Sequence, residues 1–150
     1  IEITEARAAL EGLCAAKAAQ RMSDDERKQL QALGEKMREA VGEGDVVGYS
    51  SLAQDIHARI REFSQQTTVS DLLERLRYQC VRFHFSVALM PGRPKVGLDE
   101  HLRIIEAVVG GDPAEAEREM RDHLLIVTDA LRQLGEESGN QPLLSARWER

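Results

Sequence analysis

The chain has four histidines, His57, His84, His101 and His123, and all four fall on apolar helical stripes. His101 shares its face with Leu98, Ile104, Ile105 and Val108, and His123 shares one with Met120, Leu124 and Val127. His57 stands one turn after Ala53 and one turn before Ile60, and His84 belongs with Cys80, Val87 and Ala88. A single histidine so placed is more often a satisfied core residue than a ligand. Four change the balance, because several imidazoles in one core leave many donors and acceptors to satisfy without water, metal or anion. Neutral imidazole is also the commonest protein ligand for zinc and its neighbours. Three histidines from three helices would hold a divalent metal and leave an open position for water or a carboxylate.

The elements that must bring these rings together can be read from the capping residues. Between Gly97 and Val127 two amphipathic patterns are interrupted at Gly110-Gly111-Asp112-Pro113. The glycines suit a helix C-terminus, Asp112 an N-cap and Pro113 the first helical position, and Glu115 offers the second half of a capping box. So short a break makes the two helices antiparallel neighbours. His101 lies about ten residues before the break and His123 about eleven after it. At ~1.5 Å per residue both rings sit ~15 Å along their arms, at one height on a greasy seam. His57 would come from a third helix.

Four further helices precede this hairpin. The first is capped by Thr4 and runs to about Arg21, with Arg7 unexpectedly on its inward stripe; snorkelling from a helix end and anion binding both account for it, and Glu11 is spaced to pair with it. Ser23-Asp24-Asp25-Glu26 is a capping box opening a second helix that ends near Gly42-Glu43-Gly44. Asp45 caps the third, which carries His57. A loop from Ser64 to Thr68 leads to a fourth helix, stopped by Pro91-Gly92, and a second loop from Met90 to Val96 leads to the His101 helix. The last helix runs from Pro113 to about Glu137. The expectation is an all-α, antiparallel helical bundle of about six helices with a central polar cavity, a domain over residues 1–138 and a C-terminal tail over 139–150.

Composition narrows the function classes. With 42% hydrophobic and 31% charged residues in 150, the chain is an ordinary globular domain with enough length to bury a core. A net charge of -6, no basic run and few aromatics argue against this segment gripping nucleic acid itself. No apolar window approaches a membrane span. Cys14 and Cys80 form no CxxC pair and read as small buried hydrophobes of a protein in the reducing cytoplasm. The chain begins at Ile1 rather than Met, and its first residues already read as helix, so a segment N-terminal to it is expected.

The acids beside the histidines do not share their faces. Glu100 and Asp122 each precede a histidine by one residue and project ~100° away, and Asp55 points to nearly the opposite side of its helix from His57. They are expected to be solvated, or outer partners of the rings at best.

In order and spacing, several segments together resemble the FCD domain, the C-terminal effector-binding and dimerisation domain of the FadR subfamily of GntR transcriptional regulators. They are Glu5-Ala6-Arg7-Ala8-Ala9-Leu10-Glu11, Gly44-Asp45, Leu52 through His57 to Ile60, Pro91-Gly92-Arg93, Glu100-His101, Gly111-Asp112 and Met120-Arg121-Asp122-His123. The resemblance runs from about Glu2 to Leu134. It implies a divalent metal, zinc with nickel or manganese as alternatives, held by His57, His101 and His123, and a small carboxylate or hydroxy-acid effector met by inward arginines. Arg7 matches one such arginine, with Arg77 and Arg82 as further candidates and His84 lining the pocket. It also implies a homodimer whose operator DNA is bound by a winged helix-turn-helix domain N-terminal to this chain. Many members carry an aspartate ligand one turn before the first histidine, where this chain has Ala53. The site is therefore a three-histidine site completed by water and effector, or a weakened one that takes effector without metal. Ser64-Gln65-Gln66 also replaces a common Gly-Asn, which is expected to touch the loop only.

Two other function classes compete. Three histidines with an open position could activate water in a hydrolase, although no carboxylate on their faces is expected to serve as general base and Ala53 removes the obvious one. The other is a helical interaction module whose histidines are structural.

Overall fold

The computed structural model describes residues 2–139, and the side chains of all of these except 80–82 and 137–139. Arg82 and Cys80 therefore lie outside the described side chains, as does the tail beyond residue 139. Six helices make up the described chain: α1 (Glu2–Arg21), α2 (Asp24–Gly42), α3 (Val46–Phe63), α4 (Thr67–Ala88), α5 (Arg93–Gly110) and α6 (Pro113–Gly139). The expected all-α bundle is what the chain forms.

Local chemistry sets the helix ends. At α2 both halves of the capping box form: Glu26 N–H donates to Ser23 Oγ at 3.3 Å and Ser23 N–H to Glu26 Oε2 at 2.8 Å. Asp45 accepts from Gly48 N–H at 2.8 Å to start α3. Gly111 closes α5 in the left-handed region at φ 74, where a side chain would be strained, and Asp112 Oδ1 accepts from Glu115 N–H at 3.1 Å to open α6. The Glu115 carboxylate, expected to complete a box, turns instead to Arg118.

Three boundaries differ from expectation. The α1 helix already includes Glu2, so Thr4 lies buried within it rather than capping it. The α4 helix starts at Thr67, so Thr67 and Thr68 of the expected loop are helical. More consequentially, α5 starts at Arg93 rather than beyond Val96. Proline 94 sits in the first turn of α5, where its missing N–H would have had no intrahelical partner, so it opens the helix rather than excluding it.

The α1 helix is the hub. Its inner face is small (Ala8, Ala15, Ala18, Ala19), which lets α6 lie along it most extensively while α3, α4 and α5 also touch it. Around it Leu30, Met37, Ile56, Ile60, Ile104, Val108, Met120 and Leu124 close a continuous core. Toward the His-bearing faces of α3, α4, α5 and α6 that core gives way to polar side chains lining a cavity of about 90 Å³.

Candidate metal and effector site

His57, His101 and His123 converge from α3, α5 and α6. Their ring centroids lie 5.4 Å (57–101), 5.3 Å (57–123) and 4.5 Å (101–123) apart, and one ring nitrogen from each lies within 4.8 Å of the others. On the α5–α6 hairpin, rings at equal heights on antiparallel arms meet, as their spacing from the break predicts. All three are buried.

Every Nδ1 in the cluster is engaged by an oxygen that can only accept. His57 Nδ1 bonds Glu11 Oε2, His123 Nδ1 bonds Glu100 Oε2 at 2.6 Å, and His101 Nδ1 bonds the Gly97 carbonyl at 2.6 Å. Each Nδ1 then carries a proton, so in a neutral ring Nε2 is a bare lone pair. His101 Nε2 is buried and has no hydrogen-bond partner among the described residues. An orphaned acceptor beside two further imidazoles is what a three-imidazole metal site presents, and the carboxylate partners of His57 and His123 are the outer support such ligands usually have. The residues present fit a divalent ion. Burial, and next the neighbouring His123, hold His101 well below its ordinary pKa, and burial lowers His123 as well. Both rings are thereby kept in the neutral form a metal needs.

The carboxylates behind the rings are in turn held by arginines. Arg7 grips Glu11 Oε1 through Nε at 3.0 Å and Nη2 at 2.6 Å, and Arg93 forks onto Glu100 with both contacts at 2.7 Å. Burial pushes the Glu11 carboxyl up, but His57 and Arg7 outweigh it and hold it well below the usual carboxylate range. In Glu100 burial is likewise outweighed, by Arg93 and His123, and its pKa falls to about 2. Of the two roles expected for Glu100 the structure shows the outer partner: it is 2% exposed rather than solvated, and it serves not its neighbour His101 but His123 across the hairpin. Asp55 and Asp122 are exposed as expected.

The remaining candidates fall at different depths. Arg7 is buried, lines the cavity and donates Nη1 to His84 Nε2 at 2.7 Å, so it does not snorkel. His84 lines the same cavity, with its pKa pushed down to about 3 by burial and then by Arg7. Ala53 also faces the cavity. Arg77 lines it from α4 while bound to Glu74 at 2.7 and 3.1 Å. Arg82 cannot be placed, since its side chain is not described. Sequence reasoning missed Glu11 as the partner of His57, Arg93 and Arg61. For Arg61 a signal existed: it follows Ala53 and His57 at four-residue steps on one stripe.

A family model described as the FCD domain matches residues 2–125. This chain belongs to the FCD domain family. Among solved structures, the FCD chain is similar to E. coli McbR/YncC with a TM-score of 0.80 at 18% identity, over 89% of this chain and 67% of that one. It is also similar to Streptococcus agalactiae GntR with a TM-score of 0.70 at 23% identity, over 85% of this chain and 57% of that one. At these identities the likeness speaks for the fold. The family match supports a regulatory, ligand-sensing role for the FCD bundle.

Proposed function

We propose that this FCD domain is the effector-sensing and dimerisation part of a GntR-type transcriptional regulator, and that its effector is a small carboxylate or hydroxy acid. His57, His101 and His123 would hold a divalent metal through Nε2, zinc first among the candidates. When bound, the metal would supply a fixed positive charge and open coordination positions for the effector's oxygens. Arg7, Arg77 and His84 would meet the effector around it, beside the small Ala53. Operator DNA would be contacted by a winged helix-turn-helix domain N-terminal to this chain, in the cytoplasm, and effector occupancy would bias the arrangement of two such domains.

The observation that carries this reading is the orphaned His101 Nε2, buried between two rings whose Nδ1 atoms are likewise committed. A purely structural cluster would leave that acceptor uncompensated. A regulatory role is favoured over hydrolysis because the two carboxylates that do reach the cluster are both held by an arginine and a histidine. Both are also held below the ordinary carboxylate range, which suits them poorly as general bases. Among the described residues no helix is long and apolar enough to cross a membrane.

Elemental mass spectrometry on protein purified without nickel resin or chelator tests the site. About one equivalent of zinc, nickel or manganese per chain is expected in the wild type, lost in His101→Ala with helicity retained. No metal after incubation with excess would sink the metal-centred version.

A further inference from the structure

Three of the arginines lining the cavity hold a carboxylate at hydrogen-bond distance: Arg7 holds Glu11, Arg93 holds Glu100 and Arg77 holds Glu74. Arg61 is different. It is 9% exposed and lines the cavity, yet among the described residues its one ion pair is with Glu74 Oε2 at 3.8 Å, outside hydrogen-bond reach. Glu74 is 42% exposed and already takes two bonds from Arg77. A buried guanidinium carries five N–H donors and a charge that cannot be shed, so it calls for an anionic acceptor.

The position of Arg61 says where that acceptor would lie. Ala53, His57 and Arg61 follow one another at four-residue steps along α3, and all three line the cavity. Successive members are about 6 Å apart along the helix axis. A ligand lying along this stripe would have the histidine cluster at one point and the Arg61 guanidinium about one turn further on. Val87, Ala88, Leu124 and Val127 supply apolar walls between polar ends. A cavity of about 90 Å³ has room for roughly six to nine waters at 10–15 Å³ each, comparable with the non-hydrogen atoms of a four-carbon diacid.

We infer that Arg61 is a second anion subsite and that the effector is therefore a compact dicarboxylate, one carboxylate directed to the metal the histidine cluster would hold, or to the neighbouring Arg7 where no metal is bound, and the other to Arg61. This rests on the carboxylate-effector reading above and narrows it. A monocarboxylate would satisfy the histidine end and leave Arg61 unanswered. A diacid of about four or five carbons spans one helical turn and answers both.

The test is calorimetric titration of the domain with succinate, glutarate and butyrate, for wild type, Arg61→Gln and the charge-keeping Arg61→Lys. It is run on zinc-loaded and on chelator-treated protein, so a domain that takes no zinc still answers for Arg61. A diacid is expected to bind the wild type about tenfold or more tighter than butyrate, and Arg61→Gln is expected to erase that preference while leaving butyrate unchanged. Arg61→Lys should recover part of the preference, which separates loss of charge from loss of fold. Equal binding of diacid and monoacid by wild type, or a preference that survives Arg61→Gln, overturns the Arg61 subsite and leaves a carboxylate effector standing. Failure of all three acids to bind either form overturns the subsite and the carboxylate reading together.

Discussion

Each ring of the cluster is tuned by what stands behind it. Glu11 accepts from His57 Nδ1 and is itself held by Arg7, so it fixes the tautomer of His57 and raises the basicity of its Nε2. Glu11→Gln is expected to weaken zinc binding about 10–100-fold with the bundle intact, read by competition with a chromophoric chelator. Unchanged affinity would mean that the carboxylate does not support the ligand. His84 makes a second residue-scale prediction. Its folded pKa of about 3 lies below the ordinary histidine value near 6.5, so the unfolded chain takes up a proton that the folded one refuses. The stability it contributes is complete above about pH 6.5 and is lost as pH falls toward about 3, at up to about 1.4 kcal/mol per pH unit. Urea unfolding of chelator-treated protein between pH 6 and 4 should show a slope reduced by about one proton in His84→Asn. An identical slope in the two proteins would place that proton elsewhere.

At the scale of elements, α5 does more than carry His101. Its first turn supplies Arg93, whose fork onto Glu100 two turns later steadies the acceptor of His123 on α6. Its Gly97 lends a carbonyl to His101 and lets Tyr49 of α3 approach; a Cβ there would stand 1.9 Å from the Tyr49 hydroxyl. Tyr49 is buried and packs edge-on to His101 at 6.3 Å, so it cannot swing to solvent without exposing its ring. Gly97→Ala is therefore expected to destabilise the domain by about 1–3 kcal/mol through overpacking, measured by urea unfolding, and to loosen zinc at the same time. Stability and zinc affinity both at wild-type level would show that Tyr49 has room to yield.

At the scale of the molecule, α4 is the helix whose outer side is least suited to water. Leu72 and Phe83 lie on one flank of that side and Tyr78 and Phe85 on the other, with Leu89 at the C-cap, all between 40% and 71% exposed. A helix apolar on so much of its circumference belongs between two surfaces rather than on one. That favours α4 as the seam of the proposed homodimer, and the same helix presents His84 and Arg77 to the cavity. Sedimentation equilibrium should find the wild-type domain dimeric at micromolar concentration and the Phe83→Glu, Phe85→Glu double variant monomeric with unchanged helicity. A wild type that stays monomeric, or a double variant that still dimerises, would move the interface off α4.

What the sequence determined by itself was whatever depends on neighbours along the chain. Helix count follows from periodicity and caps, and the meeting of His101 with His123 follows from a short break between two regular helices of known rise. That a third helix could add His57 was legible from its apolar stripe, while its choice over His84 came from the family resemblance. Tertiary structure alone decided the outer support. Glu11 reaches a ring 46 residues away and Glu100 one 23 residues away, and neither pairing leaves a mark in local spacing. An acid one residue from a histidine looks solvated on a single helix, and becomes buried only when a second helix and an arginine close over it. The arginines divide along the same line: Arg7 with Glu11, Arg77 with Glu74 and Arg93 with Glu100 pair within one helix, the first of them legible at a four-residue spacing, whereas the acid nearest Arg61 belongs to another helix and only packing brings it there.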